Sequence, residues 1–387
     1  MAHQPAPSPP NWFERHPKKT IFWVVLLLLL AATYGTEKIL AYINHTHNLV
    51  LFTERRYINL REILPGVDTV DVPPDRAVRE SDDLVQKPYR VRTDAHGFML
   101  PYNHYDKPDL NLVFLGGIYV EEKNRFPYLV GQLLEQRTGK KITSINSGVG
   151  GNNSLHSLDI LLNKLIPVRP DVVVMMHNLN DLVGLIYDQT YWSKNPTRKP
   201  IVNFYFYKNL TGLKALATLA RDMYIPNLHA ATRVLSHKIF GKKVKDPDDE
   251  FAYIRGQKLT VDQAAIVDEF KMNLQSFINL CRARKINPVL MTQFNRYTRN
   301  PDPKVLKAMQ GFASDSGIPV SQFIALYARF NQAIREVGQA NQVLVIDLAS
   351  LIPSDKKYIY DVVHLNTRGS KLAAKLISER LQPLVPR

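Results

Sequence analysis

From Leu110 to the C-terminus, short apolar runs alternate with stretches of helical periodicity, and this alternation restricts the fold more than any other feature. A strand followed each time by a helix returns to the same end of a sheet, so the strands run parallel and need helices on both faces. The expected strands are 110–117, 141–146, 171–176, 288–293 and 343–348. The expected helices are 126–138, ended by Gly139, then 154–165, 261–284, 320–337 and 367–381. The pattern predicts a three-layer α/β/α domain over 110–387. With 387 residues, 45% of them apolar, the chain can fill such a core. A stretch of aromatics and prolines at about 182–260, with a helical segment at 210–220, breaks the alternation and reads as an insertion beside the site. Residues 44–109 form a lead-in without clear periodicity.

The N-terminus points to a membrane. Residues 1–19 read as a polar, Pro-rich, disordered tail ending in the basic residues Arg15, Lys18 and Lys19. Thr20 to Tyr34 is apolar and includes five consecutive leucines, yet about 15 helical residues span only ~22 Å. Crossing a hydrocarbon core of ~30 Å requires the helix to continue through Ile39–Ile43. An uncleaved anchor over 20–43, a cleaved signal with a poor site near Ala31-Ala32, and a buried core helix all fit the run. As an anchor, its basic N-terminal flank predicts an inner-membrane, single-pass protein with its domain in the periplasm or outside the cell.

The formal net charge is +15, and Tyr191–Lys258 holds 13 Lys/Arg against 5 Asp/Glu. This basic stretch, interleaved with Phe204, Tyr205, Phe206 and Tyr207, suits anionic headgroups, an acidic polysaccharide or a solvated face. An exported chain is not expected to bind nucleic acid. Cys281 is the only cysteine, which excludes an intrachain disulfide. His45-Thr46-His47 has a metal-compatible spacing but no third ligand nearby, so neither metal nor cofactor is expected.

Four blocks fall at the carboxyl ends of the expected strands, where a doubly wound sheet carries its functional loops. They are Leu112-Val113-Phe114-Leu115-Gly116-Gly117, Asn146-Ser147-Gly148-Val149-Gly150-Gly151, Asn178-Leu179-Asn180-Asp181 and Asp361-Val362-Val363-His364. With Arg92-Thr93-Asp94-Ala95-His96-Gly97-Phe98 ahead of them, the chain resembles the SGNH/GDSL hydrolases, specifically a membrane-anchored bacterial branch, over roughly 90–384. The resemblance implies a flavodoxin-like sheet and cleavage of an acyl ester, acylated glycan or lipid. It also implies that the Gly151 N–H and the Asn180 amide face an oxyanion, with His364 as general base oriented by Asp361.

One position departs from the family. Its serine stands after the two glycines, where this chain has Ile118, followed by Tyr119 and Val120. Isoleucine offers a backbone N–H to an oxyanion but no attacking oxygen. Ser147, Ser154 and Ser157 read as capping or backbone-bonding residues rather than substitutes. Three functions are compatible with the sequence: ester hydrolysis, a non-catalytic descendant binding an acyl or sugar ligand or an envelope partner, and acyl transfer or scaffolding in envelope-polysaccharide assembly.

Overall fold

Five parallel strands form one sheet: β1 (Leu110–Gly116), β2 (Ile142–Asn146), β3 (Val172–Met176), β4 (Asn287–Met291) and β5 (Leu344–Ile346). Their order is β2-β1-β3-β4-β5, with Leu112 opposite both Ser144 and Val172, and Val289 opposite both Val174 and Leu344. Successive side chains point to opposite faces, and both faces are covered, so the strands read as continuous apolar runs. Leu112, Phe114, Val172 and Val174 pack on one side against α1 (Phe126–Thr138) and α8 (Thr367–Leu381). Val113, Leu115, Val173 and Met175 pack on the other. There they meet α2 (Ser154–Ile160), α3 (Leu179–Asp188), α4 (Gln263–Ala283) and α6 (Val320–Ala340). The protein is thus a three-layer α/β/α fold with the expected parallel sheet.

These features come from a computed structural model that describes residues 11–46, 58–63, 65–73, 75–116, 125–192, 201–203, 212–239, 256–298 and 300–386. The tail through residue 10, His47, the loop with Ile118, Tyr119 and Val120, and the aromatics 204–207 lie outside them. The chain divides into two compact units, one of Met1–Tyr57 with Asn203–Asp246, the other of Ile58–Val202 with Pro247–Arg387.

Local chemistry explains the boundaries within the second unit. Gly139 ends α1 at φ 67°, a left-handed conformation that glycine enters without a Cβ penalty, and its N–H donates to the Glu135 carbonyl. Helix α5 (Pro303–Ser316), which no periodic stripe announced, starts from an Asp302 cap with proline at its first position, and buries only Val305, Met309 and Ser316. Helix α3 likewise lies in a stretch the alternation did not resolve. The short helix α7 (Leu348–Leu351) follows β5. The lead-in also has structure: Asp68–Asp71 pairs antiparallel with Tyr89–Arg92, and Arg90 pairs with Asp68 at 2.7 Å.

In the first unit, a single helix of 30 residues, Pro17–Thr46, is ~45 Å long. It continues through Ile39–Ile43, as crossing a bilayer requires, and Pro17–Ile43 is long and apolar enough to span one. Only 6% of its most apolar window is buried, unlike a core helix. Helices Gly212–Tyr224 and Pro226–Ile239 complete the described part of this unit.

Candidate active site

Asp361 and His364 stand on the loop between α7 and α8, and the loop's own turn brings them together. The Asp361 Oδ1 accepts from the backbone N–H groups of Val363 (2.9 Å) and His364 (2.7 Å). This fixes its second oxygen 2.6 Å from His364 Nδ1. A proton on Nδ1 donated to the carboxylate leaves Nε2 as the acceptor. The Tyr360 ring stacks on the imidazole with centroids 5.7 Å apart. Burial opposes the charged imidazole, but the charge and hydrogen bond of Asp361 outweigh it and raise the His364 pKa above its ordinary value. Burial likewise opposes the Asp361 carboxylate, and the His364 charge with the loop's hydrogen bonds outweighs it, so its pKa is lowered.

His364 and Asp361 line a cavity of about 910 Å³. One wall comes from the lead-in, including Leu84, Tyr89 and Val91, and another from Arg125, the first described residue after the Ile118 loop. The lead-in is fastened to the histidine loop. Asp82 N–H donates to the Tyr360 carbonyl at 2.7 Å, and the Asn366 amide donates to the Asp83 carboxylate at 2.8 Å.

Gly151 and Asn180 form a second group and are not among that cavity's lining residues. The Asn180 amide donates to the Asn152 carbonyl at 2.9 Å, which ties the start of α3 to the turn after β2. Gly151 has φ 77°, a left-handed conformation that favours glycine, and the Arg61 guanidinium lies against it. The first block abuts the same turn, since Val149 N–H donates to the Gly116 carbonyl at 2.9 Å. The Arg92–Phe98 segment joins it from outside the sheet: Asp94 Oδ1 accepts from the N–H groups of His96 and Phe98, and Met99 N–H donates to Asn146.

Ser154 and Ser157 are not backbone caps. Both are buried, Ser157 Oγ lies 2.7 Å from His177 Nε2, and Ser154 Oγ donates to Asp181 at 2.5 Å. Asp181 Oδ1 also accepts from Ser154 N–H (2.9 Å) and Tyr191 Oη (2.6 Å). Burial lowers the His177 pKa against the pull of Asp181. Its Nδ1 lies 3.5 Å from the other Asp181 oxygen. This Ser–His–Asp cluster has no solvent access and is structural. Among the described residues, no group of three or more His, Cys, Asp or Glu is arranged to hold a metal.

Residues 114–372, more than half of the chain, match the model of the GDSL-like lipase/acylhydrolase family. The chain belongs to this family. Solved structures similar to the chain include a lipase/acylhydrolase from Enterococcus faecalis, at 15% identity and TM-score 0.40, covering 72% of this chain and 97% of that one. An acetylxylan esterase from Geobacillus stearothermophilus is also 15% identical at TM-score 0.40, covering 70% and 94%. An α/β hydrolase from the metagenome of Lake Arreo, Spain, is 12% identical at TM-score 0.39, covering 72% and 97%. No curated protein matches the chain.

In this GDSL-family chain, the residue that sequence reasoning missed is Arg296. Its side chain is 2% exposed, and Nη1 donates to Asp82 (2.6 Å) and to the carbonyls of Ile359 and Asp361 (both 3.2 Å), while Nη2 meets the Asp302 carboxylate. One guanidinium thus joins the lead-in, the cap of α5 and the histidine loop. A lone arginine after a strand carries no motif, so only the fold could reveal it. Arg296→Met leaves Asp82 and two carbonyls without their donor and is expected to cost about 3–5 kcal/mol in denaturant unfolding. Arg296→Lys should recover only part, because an ammonium cannot reproduce the planar fork; full recovery would reduce the residue to a simple counter-charge.

Proposed function

We propose that this chain is a membrane-anchored acyl-ester site of GDSL type, whose ligand is an acylated glycan, a lipid or a related ester. Its covalent route is closed at Ile118. The observation that carries this reading is the His364–Asp361 pair at 2.6 Å, lining a cavity large enough for an acylated sugar unit. A charged and partly buried pair of this kind is costly to keep without a task. With no hydroxyl at position 118, the step open to these groups is direct activation of water. His364 Nε2 takes the proton and the hydroxide attacks the acyl carbon, in a cavity that neither Gly151 nor Asn180 lines. Collapse expels the alkoxide, which recovers the proton from His364. A second reading, a binder that turns nothing over, is favoured by Ile118 itself. The anchor is the helix Pro17–Ile43, and Arg15, Lys18 and Lys19 on its N-terminal side keep the tail in the cytoplasm and the α/β domain outside it.

The test is hydrolysis of short-chain nitrophenyl esters by the full chain. The expected result is slow turnover that disappears in His364→Ala. The base must be neutral to accept a proton, so the rate should rise with pH through a midpoint above the ordinary histidine value of about 6.5. Asp361→Asn removes the charge that raises this pKa and should move the midpoint down. Turnover indifferent to His364→Ala would refute the assignment. Saturable binding of an acylated glycan without any turnover would select the second reading.

A further inference from the structure

The helix Gly212–Tyr224 turns an apolar face outward. Leu213, Leu216, Met223 and Tyr224 are 85%, 63%, 55% and 71% exposed, and Ala217 and Ala220 lie exposed between them. At 3.6 residues per turn, these six positions fall within an arc of about 120°, one continuous stripe rather than scattered apolar residues. Positions 214 and 221, a lysine and an arginine, fall along one edge of that arc, and Asp222 falls on the opposite side. Residues 212–239 carry Lys214, Arg221, Arg233 and Lys238 against the single acid Asp222. A basic helix with an apolar stripe is the composition that lies flat at a membrane surface.

A second, independent contact fixes where this helix sits in its unit. Glu37 of the N-terminal helix is 6% exposed and receives the N–H groups of Asn227 (3.0 Å) and Leu228 (2.7 Å) and the Asn227 amide (2.6 Å). It therefore caps the free N–H groups at the start of helix Pro226–Ile239, where a carboxylate also meets the positive end of the helix dipole. Only Ile225 separates that helix from Gly212–Tyr224. Glu37 lies seven residues beyond Leu30, the middle of the span Pro17–Ile43, about 10 Å along the axis. Half of a hydrocarbon core is ~15 Å, so the capping contact stands about 5 Å inside the boundary, within the ~5–10 Å to which the apolar face of an interfacial helix sinks.

We propose that helix Gly212–Tyr224 lies in the interfacial plane of an anionic bilayer, with its Leu213, Leu216, Met223 and Tyr224 face in the acyl boundary. It forms a second membrane contact, held at fixed depth by the Glu37 cap. This inference rests on the membrane-span reading of the N-terminal helix and is independent of the catalytic one.

The test uses the full chain in phosphatidylcholine vesicles containing about one third phosphatidylglycerol. A nitroxide is placed singly at Leu28→Cys, Leu213→Cys, Leu216→Cys, Met223→Cys or Asp222→Cys; Cys281 is fully buried and stays unlabelled. Collisions with oxygen are compared with collisions with a water-soluble nickel chelate. Positions 28, 213, 216 and 223 should favour oxygen several-fold, and position 222 should favour nickel. Nickel preference at 213, 216 and 223 while position 28 favours oxygen would overturn the proposal and leave the span intact. Nickel preference at position 28 as well would overturn both. Spin–spin broadening at 213 and 216 would show a second copy on the face and also refute it. In phosphatidylcholine alone, the oxygen preference at 216 should fall; an unchanged value would remove anionic lipid from the proposal.

Discussion

Ile118→Ser should raise esterase turnover by about 10³-fold or more over the native chain, and a following His364→Ala should abolish the gain. A serine triad that loses its nucleophile loses on the order of 10⁶ in turnover, which sets the ceiling on what the restored hydroxyl can return. The remaining groups polarise a carbonyl and shuttle protons but cannot form an acyl-enzyme. Position 118 follows Gly116-Gly117 directly, and Gly116 is pinned against the turn after β2 by the Val149 hydrogen bond. The new hydroxyl thus starts from an anchored strand end. The measurement is nitrophenyl-ester hydrolysis by native, Ile118→Ser and doubly substituted proteins, with a burst of one equivalent in the single variant marking the acyl-enzyme. No gain in Ile118→Ser, nor after Tyr119 and Val120 are also replaced by small polar residues, would place the lost serine elsewhere. Robust native activity that needs His364 would mean that another nucleophile had taken over.

Asp181→Ala should destabilise the fold by about 3–5 kcal/mol, because several buried donors lose their acceptor together. The carboxylate is fully buried between the N-termini of α2 and α3, where both helix dipoles favour negative charge. Its loss strands the Ser154 N–H and removes the acceptor shared by the Ser154 and Tyr191 hydroxyls. In the full chain in detergent, the midpoint of thermal unfolding should fall by roughly 10 °C. The isosteric Asp181→Asn should cost less, because it keeps an acceptor for Ser154 and Tyr191. Equal stability of Asp181→Ala and the native chain would mean that water replaces the carboxylate and that the cluster is not structural. Because Asp181 adjoins Asn180, the same loss should loosen the bond from Asn180 to Asn152.

The sequence alone determined the sheet, because strands covered on both faces must be apolar at nearly every position, and Val172–Met176 or Leu110–Gly116 can be read directly. It also made the Asp361–His364 pair legible, since a three-residue spacing lets one turn close the contact without help from the rest of the fold. Only the tertiary structure decided what surrounds the pair. Arg296, Asp82 and the Asp68–Arg92 hairpin lie far apart in the chain and carry no periodicity, so their contribution to the cavity depends on long-range contacts that local pattern does not encode. The same holds for Ser154 and Ser157, whose polarity suggested caps, and for His177 and Asp181; burial made them one hydrogen-bonded core cluster, because a polar group removed from water must find its partner wherever the packing puts one.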